Sequence, residues 1–363
     1  MKILCLIDNL GSGGAQRQMT NLALLLQKKG NDIDFVLYGK DDFFADVLKS
    51  SGIPITIVKN RNKLERVYRV RNYIRKSGVD IVISFLETPN FLACLSAVGK
   101  HSWKLIINER SSNLNSFISK KSRIFKWFAR YCDKIVCNSI NGKNLWLKYY
   151  PQYKDKLMTI YNTVLVSEPK SQPAAKNASK RKILVAASYQ RLKNMDGVIE
   201  AVKALPEDFK ARLEINWYGQ TEVVPNDTKA YDAAAMKIKD LCLEDTIHFY
   251  QPAKDIITKM VEADCVALFS FYEGFPNAIC EGMVLSKPII MSHVSDYTVL
   301  VDENNGFLCS ADDIESIKEA LMQFLCATED ELRNMGIASK EKAKLLFDNE
   351  FITKQWFTLF NHL

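Results

Sequence analysis

The sequence has no apolar run approaching the ~18 to 20 residues that a membrane-spanning helix requires. Its opening MKILCLIDNL holds five apolar residues between Lys2 and Asp8, fewer than the apolar region of a signal peptide, so a cytosolic chain is expected. The nine cysteines are odd in number, scattered, and never spaced as CxxC. That argues against a disulfide framework or a zinc site and for buried, reduced thiols. His101, His248, His293 and His362 fall at no ligand spacing and are expected in packing or at the surface. Glycine and proline number only 15 and 10, and no short-period repeat or long low-complexity tract occurs. With 47% apolar and 25% charged residues, fibrous and wholly disordered chains are excluded, and the length of 363 residues fits two globular domains or one large one.

Charge is unevenly divided. Residues 1–165 carry 27 Lys plus Arg against 12 Asp plus Glu, a net +15, and the remainder carries 22 against 30, a net −8. A basic half attracts nucleic acid, anionic lipid or phosphorylated small molecules. Nucleic acid is disfavoured because the cations are spread over several helical segments without a recognition module.

Short β-rich runs alternate with amphipathic stretches: 2–8, 32–38, 53–58, 80–86, 104–109 and 134–138, then 182–188, 213–219, 247–251, 265–270 and 288–292. Such alternation builds parallel sheets from βαβ units. The expected organisation is an N-terminal Rossmann-like domain (1–165), a Ser/Pro/Ala/Lys-rich linker (166–181), a second Rossmann-like domain (182–348) and a C-terminal helix (349–363). That last helix carries Phe351, Trp356, Phe357 and Phe360 as a docking face, with the N-terminal domain as the surface for it to pack back on. Two doubly wound α/β domains facing across a cleft place ligands at the carboxyl ends of their strands. Between the third and fourth predicted strands, Leu64, Val67, Arg71 and Ile74 follow helical spacing, which leaves Arg66, Arg69, Arg75 and Lys76 for a solvated face.

Three segments can carry chemistry. Gly11-Ser12-Gly13-Gly14-Ala15-Gln16 joins the first strand to a helix, where free amides and close backbone approach suit a phosphate. Gln16 stands where a GxGxxG dinucleotide fingerprint needs glycine. Next, Ser188 to Asn194 follows the first strand of the second half, so Arg191 and Lys193 sit at a strand's carboxyl end, placed to neutralise a diphosphate leaving group. The third, Glu273-Gly274-Phe275-Pro276-Asn277, turns into a helix containing Glu281. Amides at such a helix start suit a pyrophosphate, and a carboxylate one turn inside can accept from both hydroxyls of a ribose. Glu214 and Glu222 show the same eight-residue spacing by chance, so the Gly-Phe-Pro-Asn insert carries the weight. The doublets Asp41-Asp42 and Asp312-Asp313 read as caps rather than metal ligands.

Together, GSGGAQRQ, Lys193 with Asn194, EGFPNAICEGM and Gly306-Phe307-Leu308 resemble the retaining glycosyltransferases of family 4, of GT-B fold, over nearly the whole chain. The resemblance implies sugar transfer from a nucleoside diphosphate donor, most simply a UDP-sugar, to a glycan or a polyprenyl- or lipid-linked acceptor in cell-surface polysaccharide or glycoconjugate synthesis. It implies that Glu281 binds the donor ribose, that Glu273 lies beside the transferred sugar and diphosphate, and that Lys193 contacts the diphosphate. Gly13 and Gly14 approach the phosphate, while Tyr250, Gln251 and Pro252 flank the base. The implied front-face mechanism lets the leaving diphosphate help take the acceptor proton, with no cofactor and no metal. One position departs from the family: Ser188 stands where an arginine is usual, and Arg191 is the candidate replacement.

On the acceptor side, Ser84, Glu87, Asn108, Glu109 and Arg110 lie at predicted strand ends. Glu109 is the first choice to position an acceptor hydroxyl, with a strand-end ion pair as the plainer alternative. From Phe117 to Lys134, aromatics interleave with Lys120, Lys121, Arg123, Lys126 and Arg130, and a helix of that composition, Trp127 inserted, can lie on an anionic membrane surface. Peripheral attachment at the inner face of the cell membrane is therefore expected. A non-catalytic sugar-nucleotide or glycan-binding protein, and an epimerase of the same shape, are the rival readings.

Overall fold

The computed structural model describes residues 1–166, 180–224 and 226–363, so most of the expected linker lies outside the described residues. The chain divides into two units: Met1–Thr163 with Phe347–Leu363, and Val164–Leu346.

The first unit is built on strands β1 (Lys2–Leu6), β2 (Asp32–Leu37), β3 (Ile55–Ile57), β4 (Ile81–Phe85), β5 (Lys104–Glu109), β6 (Lys134–Cys137) and β7 (Leu157–Thr159). All pairings are parallel, in the order β3-β2-β1-β4-β5-β6-β7. Because side chains alternate across a strand, a sheet covered on both faces needs apolar residues at consecutive positions. β1 shows this: Ile3 and Cys5 enter one core while Leu4 and Leu6 enter the other. Helix Gly14–Lys28 covers the first face, and so does the C-terminal helix Asn349–Asn361, whose Ile352, Trp356, Leu359 and Phe360 join Ile3 and Cys5. Phe351, expected on that docking face, is instead 55% exposed.

Helices Lys63–Lys76 and Glu87–Ser96 cover the second face. The helical spacing expected around Leu64 is shifted: Leu64 is 83% exposed, and Val70 and Ile74 are the buried pair. Arg75, expected on the solvated face, shares with Arg71 a structural task. Arg71 donates to the carbonyls of Leu95, Ser96 and Val98, and Arg75 to those of Ser96, Val98 and Lys100, so cations cap the carboxyl end of helix Glu87–Ser96.

The second unit holds β8 (Arg181–Ala186), β9 (Leu213–Tyr218), β10 (Ile247–Tyr250), β11 (Cys265–Leu268), β12 (Ile289–Ser292) and β13 (Gly306–Cys309), parallel in the order β10-β9-β8-β11-β12-β13. All nine cysteines are free, and only Cys242 and Cys326 are exposed.

The segment expected as one amphipathic helix from Phe117 to Lys134 is broken. Asn115–Ile118 and Lys120–Trp127 are separate helices, followed by a 3-10 turn at Phe128–Tyr131. Ser119 interrupts them with extended backbone (φ −62°, ψ 148°), and its hydroxyl accepts from the Ser122 N–H at 3.2 Å.

Candidate active site

Each sheet has one topological switch point, where strand order reverses and loops leave in opposite directions, opening a ligand crevice at the carboxyl ends. In the second sheet it lies between β8 and β11. The β8 loop carries Ser188, Arg191 and Lys193, and the β11 loop carries Ser270 and Glu273. Their backbones are tied, the Phe271 N–H donating to the Leu192 carbonyl at 2.9 Å.

Lys193 ends a 3-10 turn (Arg191–Lys193), and Asn194 follows in the left-handed region at φ 63°, which asparagine tolerates. The Asn194 side chain accepts from the Gly197 N–H and starts helix Met195–Lys203. Lys193 Nζ is thereby brought 2.5 Å from Glu273 Oε1, with the two side chains only 16% and 13% exposed. Ser270 Oγ donates to the same oxygen at 2.7 Å, and Ser292 Oγ donates to the Ser270 carbonyl at 2.7 Å. Nothing in the sequence pattern singled out Ser270 or Ser292; their proximity to the site in sequence is the only available signal.

After Glu273 the chain runs through buried Gly274, Phe275 and Pro276 into helix Asn277–Val284. Ser295 donates to the Gly274 carbonyl. The helix sits tightly on β11: a Cβ at Gly282 would lie 2.8 Å from the Val266 Cβ, so glycine is required for this approach. Glu281 is thus buried one turn inside, 6% exposed. At the end of β10, Tyr250 stacks on Tyr218 with ring centroids 4.7 Å apart, beside Gln251 and Pro252. Buried Tyr189 anchors this strand end, its hydroxyl accepting from the Tyr250 N–H at 2.8 Å. Arg191 is exposed, and Ser188 is half-buried.

The switch point of the first sheet lies between β1 and β4. Here Gly13 caps helix Gly14–Lys28, and a Cβ on it would meet Gln16 Oε1 at 2.3 Å. Gln16 folds back to donate to Asp8 Oδ1 at 3.1 Å and Asn9 Oδ1 at 3.3 Å. Burial raises the Asp8 carboxyl above its ordinary range, and the charge of Asp41 adds to this, while the donors from Asn9 and Gln16 oppose it. On the β4 side, Leu86 adopts φ 77°, ψ 155°, a backbone region otherwise reserved for glycine.

The acceptor-side residues are placed differently from one another. Glu109 Oε2 accepts from Lys126 Nζ at 2.6 Å and from Trp146 Nε1 at 3.1 Å. Lys126, expected on a membrane-facing surface, is 6% exposed, its ammonium 4.4 Å from the ring centroids of both Phe117 and Trp146. Its role there is corrected: it is an interior partner of Glu109. Lys120, Lys121, Arg123, Trp127 and Arg130 remain exposed. Arg110 lies 3.8 Å over the Phe85 ring and donates to Asn162 Oδ1 at 2.6 Å and Asn108 Oδ1 at 3.2 Å. Burial lowers its guanidinium to about 9, opposed by Cys137 and Glu109. Among the described residues no cluster of three or more His, Cys, Asp or Glu is placed to hold a metal ion, and Asp313 caps helix Ile314–Cys326. No helix among them is long and apolar enough to cross a membrane.

Two doubly wound α/β units, each with its own switch point, form the GT-B fold. Residues 12–168 match Glycosyltransferase Family 4 and residues 166–342 match the glycosyl transferases group 1, and the chain belongs to this glycosyltransferase family. It is 25% identical, over 94% of each chain, to an N-acetylgalactosamine-N,N'-diacetylbacillosaminyl-diphospho-undecaprenol 4-alpha-N-acetylgalactosaminyltransferase of Campylobacter jejuni. It is 23% identical to an uncharacterized glycosyltransferase of Haemophilus influenzae, over 98% of each chain. Among solved structures, Anabaena Alr3699/HepE in complex with UDP and glucose superposes over 100% of both chains with a TM-score of 0.87 at 17% identity.

Proposed function

We propose that this enzyme moves a sugar from a UDP-linked donor to a lipid-linked saccharide, retaining anomeric configuration, at the inner face of the cell membrane, for cell-surface glycan synthesis. The observation that carries the reading is the shielded Lys193–Glu273 pair at the second switch point, followed by Glu281 one turn inside a helix. In this reading Lys193 meets the diphosphate as negative charge builds on it in the transition state. Exposed Arg191 supplies the guanidinium that the family carries where Ser188 stands. Glu281 accepts from the ribose hydroxyls, and the stacked Tyr218 and Tyr250 rings offer a flat apolar surface to the base. These residues stabilise the leaving group without a metal, so turnover is expected to persist in EDTA. Glu109, held by Lys126 and Trp146, and Arg110, held over Phe85, orient an acceptor hydroxyl.

UDP complexes of Alr3699/HepE and the diphospho-undecaprenol-linked acceptors of the Campylobacter relatives support the choice of substrates. Membrane attachment is supported by exposed Ile118, Ile124 and Trp127 (46%, 59% and 46%) beside exposed Lys120, Lys121, Arg123 and Arg130. Calorimetry with UDP, GDP and ADP tests the donor site: UDP binding that Glu281→Ala abolishes is expected. Failure of every nucleoside diphosphate to bind would overturn the reading. The anomeric coupling constant of the product, read by NMR, decides retention, and cosedimentation with anionic against zwitterionic vesicles decides attachment.

A further inference from the structure

Lys193 has a partner supplied by its own fold. Glu273 Oε1 lies 2.5 Å from the ammonium, Ser270 Oγ holds that oxygen at 2.7 Å, and the Phe271 N–H to Leu192 carbonyl bond locks the two loops together. A diphosphate that engages Lys193 must displace this carboxylate or lie beside its negative charge, in a shielded setting where Coulomb repulsion exceeds that in water. An ammonium carries three donors, so Lys193 can pass from carboxylate to phosphate without changing place. We infer that Glu273 is a positioning residue that competes with the nucleoside diphosphate for Lys193, holding the ammonium before the donor arrives and driving UDP out after transfer. The inference rests on the reading above that Lys193 meets the diphosphate.

The competition has a signature of unusual sign. Removing the charge of Glu273 tightens UDP binding, whereas loss of a merely structural pair would weaken it by releasing Lys193. Calorimetry with UDP on the wild type, Glu273→Gln, Lys193→Met and the double variant reads this directly. Glu273→Gln is expected to bind UDP about tenfold more tightly, as for one charged hydrogen bond no longer contested. That gain is expected to vanish in the Lys193→Met background, because the two residues act as one unit. Product inhibition by UDP strengthens in parallel, and kcat falls. Glu273→Asp, which draws the carboxylate back from Lys193 by one methylene, moves the affinity in the same direction by less and serves as the measure should Glu273→Gln fold poorly.

If the wild type binds UDP while Glu273→Gln binds it equally or more weakly, the competition is refuted and the donor-site reading stands. A gain that persists without Lys193 marks direct repulsion and overturns the role through Lys193. A wild type that binds no nucleoside diphosphate takes both ideas down.

Discussion

Among the described residues each unit contains a shielded Lys–Glu pair, and the two differ in what surrounds them. Lys126 and Glu109 meet at 2.6 Å with side chains 6% and 12% exposed, walled by the rings of Phe117 and Trp146. Lys193 and Glu273 meet at 2.5 Å with 16% and 13% exposed, between two loops and held by a hydroxyl. The chemistry is the same. Aromatic rings wall the first ammonium, and that pair orients Glu109 and its neighbourhood. The second sits where strand order reverses, at the opening a parallel sheet offers to ligands.

Breaking the first pair is expected to have the largest effect on stability. Lys126→Ala strands a buried carboxylate and should cost about 3–5 kcal/mol, read as a lower urea midpoint. Pairing Lys126→Met with Glu109→Gln removes both charges and should recover most of that loss. Breaking the second pair should fall mainly on chemistry: Lys193→Ala lowers kcat about 10²–10³-fold, with a smaller shift of the unfolding midpoint. Equal stability losses in Lys126→Ala and Lys193→Ala would erase the distinction. Removing the cap that Arg71 places on helix Glu87–Ser96 gives a smaller change, about 1 kcal/mol for Arg71→Ala by chemical denaturation.

The smallest effect belongs to a third pair, Lys342 with Asp302 at 2.7 Å, which is more exposed. The hydrogen bond from Lys342 comes first among the causes that lower the Asp302 carboxyl. A depressed acid stabilises the fold above its unfolded value of about 3.9 and loses that contribution as pH falls through the lower folded value. Lys342→Ala should therefore flatten the dependence of melting temperature on pH below about 4 and leave it unchanged near neutrality.

Much of the fold is legible in the sequence because β-branched runs and helical periodicity are local signals. β1 to β6 and β9 to β12 lie within the runs that alternation marks, and β8 begins one residue before its run. β7 and β13 escaped because Leu157–Thr159 and Gly306–Cys309 hold a single β-branched residue between them, Thr159; their strand character comes from neighbours β6 and β12. The break at Ser119 had a signal, a serine before a run of helix formers, but the aromatic pattern on both sides outweighed it. Lys126 was misplaced for a deeper reason: whether a lysine points to water or to a carboxylate depends on Glu109 and Trp146, 17 residues before it and 20 after it.

By composition and spacing alone, the sequence determined two α/β units, the basic character of the first, the glycine loop, and a helix start bearing Glu281. Tertiary structure decided which charges are partnered. Lys193 finds Glu273 across 80 residues, and Glu109 finds Lys126 rather than solvent. Periodicity records which face of an element is apolar, but the partner of a buried charge is set by which strand ends the sheet order brings together.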